Sequence, residues 1–195
     1  MAATATIQLS ELARAAMLDR NYTVIDFETA DNTRTNPCEI GLTRIRNGEI
    51  IDTKSWYIKP DCYPHFNYWC TRVHGIYADD VADAPKWPEV WMEVGDYLAD
   101  SIVVAHNASF DMGVLRSTNE FYGLLKPSFH YFCTVTLARR AWKQIPKHGL
   151  ESLAKWWGLK PGGHRAGADA EVTAKLLLMM LDDYKGDMFG LLRRI

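Results

Sequence analysis

Three short stretches of this 195-residue sequence place carboxylates where they could do chemistry. Asp26 and Glu28 stand two apart in Tyr22-Thr-Val-Ile-Asp-Phe-Glu28. Period-two geometry puts both on one face of a strand. Two like charges on an apolar strand repel and are costly to desolvate. A cation between them would relieve this, and a solvated strand end would need none. His106-Asn-Ala-Ser-Phe-Asp111 follows the apolar run Ile102 to Ala105 and opens a helix, where α/β sheets bind ligands. Taken singly, Asp111 also suits a first-turn partner of the helix dipole. His164-Arg-Ala-Gly-Ala-Asp169 follows Pro161-Gly162-Gly163. Asp169 begins the last long helix, as a site residue or a simple first-turn charge. His164 lies in a glycine-rich loop that is free to move. Together these are four acids and one histidine. Oxygen-rich sites suit Mg²⁺ or Mn²⁺ rather than Zn²⁺, and two such ions roughly 4 Å apart are a standard device for in-line displacement at phosphorus.

The elements that must hold these groups are readable. Residues 8–19 predict a short amphipathic helix with Leu9, Leu12, Ala16 and Leu18 on one side. Tyr22–Glu28, Pro37–Arg46 and Ile50–Ile58 predict three strands, with Asn47-Gly48 as a tight turn between the last two. They form an antiparallel meander. Residues 61–87 read as loop with short helical pieces. Helices follow at 88–99, 109–120 (capped by Ser109), 134–142, 149–157 and 166–184, with strands at 101–105 and 129–133. The expected fold class is α/β, a mixed five-stranded sheet of the meander plus parallel strands, flanked by helices. Domain bounds follow: a helical extension at 1–21, one domain at 22–185 and a tail at 186–195 that docks to a partner or finishes the final helix.

A single domain of this size buries enough apolar surface to fold without disulfides or structural metal. The net charge of −2 argues against a generic DNA-coating protein, which would be basic. Cys38, Cys62, Cys70 and Cys133 include no C-x-x-C pair, and residues 1–18 lack the basic start and apolar core of a signal peptide. No apolar run is long enough to span a bilayer. The expectation is a cytoplasmic protein with free thiols and no membrane partner.

Asp-Phe-Glu-Thr at 26–29, His-Asn-Ala-Ser-Phe-Asp at 106–111 and His-Arg-Ala-Gly-Ala-Asp-Ala at 164–170 resemble the three motifs of the DnaQ-like DEDD exonuclease superfamily. The H-x-x-x-x-D spacing of the third is similar to the histidine branch, DEDDh. Val73-His-Gly-Ile76, Cys133-Thr-Val-Thr-Leu-Ala-Arg-Arg140 and the Leu150/Leu153 pair extend the likeness across about residues 22–184. Within the branch, the chain is similar to the exonuclease X and polymerase proofreading-subunit groups. The resemblance implies a ribonuclease H-like fold and 3′→5′ release of nucleoside 5′-monophosphates from single-stranded DNA or RNA ends, DNA first. It implies Asp26, Glu28, Asp111 and Asp169 as ligands of two divalent cations, Mg²⁺ or Mn²⁺, with Asp26 bridging. His164 would be the general base. None of the five positions departs from the family pattern. A polymerase or repair complex would be a partner, and the chain a monomer or homodimer.

By the same analogy His74, Gly75 and Ile76 line the terminal-nucleotide pocket, Gly75 allowing close backbone approach and Ile76 wedging against a base. Phe27 and Thr29 flank the ligands. His106, Asn107 and Phe110 face the cleft, with core packing as the other reading of Phe110. Phe66, Tyr68 and Trp69 are stacking platforms or core-packed loop aromatics. Arg72, Arg139, Arg140, Lys143, Lys147 and Arg165 guide phosphates or form solvated faces.

Three other readings compete. Cys62, His65, Cys70 and His74 have the residue types of a zinc knuckle, but the spacing is irregular. A non-catalytic module that binds nucleic acid or a polymerase is a second; the intact five-residue set speaks against it. An RNA-trimming or oligoribonuclease-like enzyme is a third, separable by substrate length.

Overall fold

The computed structural model describes residues 11–98 and 101–195. Its frame is a mixed sheet that carries the expected meander and parallel strands. Tyr22–Thr29 (β1) pairs antiparallel with Pro37–Arg46 (β2), and β2 pairs antiparallel with Glu49–Tyr57 (β3). Asn47 and Gly48 join β2 to β3 with φ of 51° and 79°. Two positive φ values in a row match the twist of the flanking strands. On its other side β1 pairs parallel with Ile102–Ala105 (β4), and β4 with His130–Cys133 (β5). The sheet has one strand more than expected. Arg193–Arg194 (β6) pairs antiparallel with β5, giving the order β3-β2-β1-β4-β5-β6. The last residues therefore do not extend the final helix; they turn back and close a sheet edge.

Helices cover both faces. Glu11–Leu18 (α1), Thr134–Ala141 (α5), Leu150–Trp156 (α6) and Ala166–Asp183 (α7) meet one apolar layer that includes Tyr22, Val24, Phe132, Leu137, Leu153 and Leu177. Trp87–Leu98 (α3) and Ser109–Phe121 (α4) cover the other, over Ile25, Phe27, Leu42 and Val103. Tyr68–His74 (α2) leads into Ile76, which joins Ala30, Cys38 and Val81 in a smaller cluster. Among the described residues no helix is long and apolar enough to cross a membrane.

Two further expectations need correction. The apolar face of α1 is Ala13, Ala16 and Met17, while Leu12 and Leu18 are 72% and 70% exposed. Small alanines let the short helix lie close to the sheet, and this outweighs the larger leucines. Leu9 lies outside the described residues. Ser109 is the first residue of α4, not its cap; Ala108 holds the cap position without a side-chain hydrogen bond.

The approach of α7 to the sheet positions the third motif. Gly41 on β2 pairs with Asp26 on β1. A Cβ on Gly41 would lie 2.1 Å from the Ala166 carbonyl carbon and 2.3 Å from the Gly167 nitrogen. Absence of a side chain there lets the start of α7 rest on the strand beside Asp26.

Candidate active site

At the C-terminal ends of β1 and β4 the chain leaves a cleft of about 350 Å³. Asp26 and Glu28 form its floor, Asn107 and Phe110 one wall, and His164 and Asp169 the other. Period two brings Asp26 and Glu28 to the same face. Phe27 between them points the other way and packs on Trp87, ring centroids 5.8 Å apart. Its contribution to the cleft is thus its main chain, and its N–H donates to Asp111 Oδ1 at 3.2 Å. The β1–β4 ladder has ended by this point, so Asp111 gives the N–H a partner that a strand would otherwise supply.

One ligand atom from each of Glu28, His164 and Asp169 lies within 4.8 Å of the other two. This is the one such group of His, Cys, Asp and Glu among the described residues. Asp26 lies deep in the protein yet keeps a side open to the cleft. Asp111 is 1% exposed. All four acids resist ionisation. Burial, followed by the charges of Asp111, Glu28, Asp169 and Glu39, holds Asp26 well above the ordinary carboxylate range. Burial, with Asp169, Glu39 and Asp111, pushes Glu28 up to about 8. Burial pushes Asp111 up to about 7 against the backbone N–H groups that lower it. Asp169 is raised by burial, countered by His164 and by hydrogen bonds from the His164 and Gly162 backbone.

A buried glutamate that the sequence reading did not single out organises the third motif. Glu39 stands opposite Glu28 in the β1–β2 ladder, beside a register shift at Glu28/Thr29. Like charges in that position repel. Arg165 takes Glu39 in a two-pronged contact at 3.0 and 3.1 Å, and the Ala166 N–H donates to Glu39 at 2.9 Å. Arg165 also donates to the Tyr57 hydroxyl at 2.8 Å. These bonds fix the first turn of α7. His164 (φ 57°) and Gly163 (φ 74°) then bend the preceding loop back over Asp169, with Gly162 packed against the Asp169 carboxylate. Arg165 is therefore an anchor, and its phosphate-guiding reading is set aside. A lone acid within the apolar run Pro37–Thr43 was the available signal for Glu39.

A second lobe of about 370 Å³ shares Glu28 and Phe110 with the first and is walled by Thr29, Trp69, Val73 and His74. Trp69 is 72% exposed, so it is a surface aromatic at this lobe rather than a core one. Phe66 packs against the small cluster beneath. Thr29 donates its hydroxyl to the Asp31 carbonyl at 2.8 Å.

The His-Gly-Ile segment departs from expectation. Ile76 is fully buried in the small cluster and lines neither lobe, so it cannot wedge against a base. Gly75 is the left-handed cap of α2, φ 71°, and lines neither lobe. His74 lines the second lobe, but its Nδ1 accepts from the Ile76 N–H at 3.0 Å. That leaves Nε2 to donate to the Thr29 carbonyl at 3.1 Å. The ring is a neutral staple between α2 and β1, and burial lowers its pKa. Cys62, His65, Cys70 and His74 do not converge as a metal-ligand group. His106 lines the cleft with Nδ1 at 2.9 Å from Thr134 Oγ1, and burial pushes its pKa down to about 4. Leu150, Glu151 and Pro161 complete the lining.

Residues 23–177 match the RNase T exonuclease family model. The chain belongs to this exonuclease family. It has the ribonuclease H-like fold of the DnaQ-like exonucleases. A PolC-type DNA polymerase III of Staphylococcus aureus is 34% identical over 170 residues, covering 86% of this chain and 12% of that polymerase. The exonuclease thus spans about an eighth of that relative. Exonuclease X, solved with 5′ overhanging duplex DNA, is 29% identical with a TM-score of 0.70, covering 87% of this chain and 96% of that one. A 3′-exonuclease that recognises a histone mRNA stem-loop is 20% identical with a TM-score of 0.73 over 90% of both chains and shares the fold.

Proposed function

We propose that this exonuclease removes nucleoside 5′-monophosphates from the 3′ ends of single-stranded DNA, with Asp26, Glu28, Asp111 and Asp169 as cation ligands and His164 as general base. The observation that carries the reading is the convergence of Glu28, His164 and Asp169 beside Asp26 at the cleft floor. The donor set fits hard divalent cations. Four carboxylates converge on one another's charge, and the arginine nearest them is held by Glu39. Oxygen donors of this kind match Mg²⁺ or Mn²⁺. When bound, such cations lower the pKa of an attacking water and offset charge on a departing 3′ oxygen.

The residues themselves do the rest. The exposed His164 imidazole stands at the rim of the carboxylate group and accepts the water's proton at a ring nitrogen. Phe110, common to both lobes, and Trp69 offer apolar surface to the terminal nucleoside. Asn107 meets sugar or phosphate at the wall. DNA is favoured because the 34% identical relative is a DNA polymerase and the 29% identical structure holds DNA. The same relative supports a polymerase or repair assembly as partner.

The test uses 5′-labelled DNA and RNA oligomers of one sequence with Mg²⁺, Mn²⁺ or EDTA. A cation-dependent ladder shortening from the 3′ end, faster on DNA, is expected. His164→Ala should lose on the order of 10²–10⁴ in rate; near-wild-type turnover would remove its role. Faster cutting of RNA would move the substrate to that class.

A further inference from the structure

Past Asn107 the cleft wall gives onto a third hollow of about 350 Å³. Its character reverses that of the carboxylate cleft. Ser109, Thr136, Arg139 and Arg193 line it, and among the described residues no acidic side chain does. Arg139 is exposed on the last turn of α5 and forms no ion pair among the described residues. Arg193 reaches the hollow because β6 sets it opposite Tyr131 on β5, and its Nη1 is braced on the Leu192 carbonyl at 2.8 Å. Helices α4 and α5 both begin at this wall, and neither Ala108 nor Cys133 supplies a side-chain cap. Their first N–H groups add to the positive field of the arginines.

We infer that this hollow holds the sugar-phosphate backbone of the substrate strand on the 5′ side of the bond being cut, with phosphates on Arg139 and Arg193. The inference rests on the exonuclease reading of the neighbouring cleft. A strand whose 3′ end lies over Glu28 must lead out of the cleft across a protein whose net charge is −2. A local basic surface contiguous with that site supplies the missing attraction. Asn107, shared by cleft and hollow, marks the crossing. Backbone contacts of this kind position a strand without reading its sequence. The arginines would therefore set the preference for longer substrates and leave the chemistry at the end untouched.

The experiment compares wild type with the Arg139→Gln/Arg193→Gln double variant. One readout is binding of a fluorescent single-stranded DNA of about 12 nucleotides in Ca²⁺. The other is hydrolysis of a dinucleotide in Mg²⁺, too short to reach the hollow. Oligonucleotide affinity should fall on the order of 10-fold at low salt. The slope of log affinity against log salt should flatten by ~1.4, two phosphates at ~0.7 each. Dinucleotide hydrolysis should be unchanged, and the double lysine variant should recover most of the affinity. Unchanged affinity and slope, or an equal loss on the dinucleotide, would overturn the inference. A wild type that binds through these arginines but cuts nothing would keep the hollow as a backbone site and remove the exonuclease reading.

Discussion

Glu39 and Arg165 meet at 3.0 and 3.1 Å across the junction of β2 and α7, with the glutamate side chain 3% exposed and the arginine 44%. Neither lines the cleft, yet they hold the turn from which His164 and Asp169 project. Glu39→Ala would leave the guanidinium and the Ala166 N–H without their partner. The expected loss is about 2–4 kcal/mol of stability and more than tenfold in kcat. Glu39→Gln keeps an acceptor and should recover part of both. Denaturant titration beside steady-state kinetics checks this; kcat unchanged in the alanine variant would show that the anchor does not position the site.

Gly41 faces the same junction from below. Gly41→Ala would drive a methyl into the Ala166 carbonyl and the Gly167 nitrogen, which are backbone atoms with little room to yield. Overpacking of this sort costs typically 1–3 kcal/mol. Displacement of α7 would carry Asp169 away from Glu28, so activity should fall further than the melting temperature suggests. Thermal melts and product ladders on one preparation read both.

Asp26 is held in a field of like charges. Asp26→Asn should abolish hydrolysis and raise the melting temperature measured in EDTA, because it removes a buried carboxyl whose ionisation four neighbouring acids oppose. Added Mg²⁺ should stabilise wild type, by about 2.7 kcal/mol at a hundredfold excess over Kd, and the variant less. A variant melting below wild type in EDTA would contradict the electrostatic account.

His106 gives a pH signature. Its pKa is near 4 when folded and about 6.5 when free. The folded pKa is depressed, so the unfolded chain binds the extra proton in that window. Stability from this group is complete above about pH 6.5 and is lost as pH falls towards 4. His106→Gln should lose less stability than wild type between pH 7 and pH 5. Chemical denaturation of both proteins at each pH, with Mg²⁺ saturating, measures the difference; parallel losses would count against a buried neutral imidazole.

The strands, the Asn47-Gly48 turn and the starts of α5 and α7 were legible because each rests on local signals: period-two alternation, a glycine turn, a helical apolar face. The meeting of Glu28, His164 and Asp169 was legible because the spacing of the three motifs repeats a family pattern. What escaped the sequence depends on distant partners. Ile76 reads as a free apolar wedge until Ala30, Cys38 and Val81 are seen to enclose it. Glu39 reads as one more strand glutamate until Arg165 closes on it from the far end of the chain. The edge strand Arg193–Arg194 is two residues long, too short for any periodicity, and exists because β5 offers it an open ladder.

Helix α7 supplies Asp169 and also lies across β1, β2 and β3. A fragment lacking α7 keeps Asp26, Glu28 and Asp111 but not Asp169, so it holds no complete set of the four carboxylates. Fragments ending before residue 166 should accordingly show no nuclease activity, whatever fraction of the sheet they form.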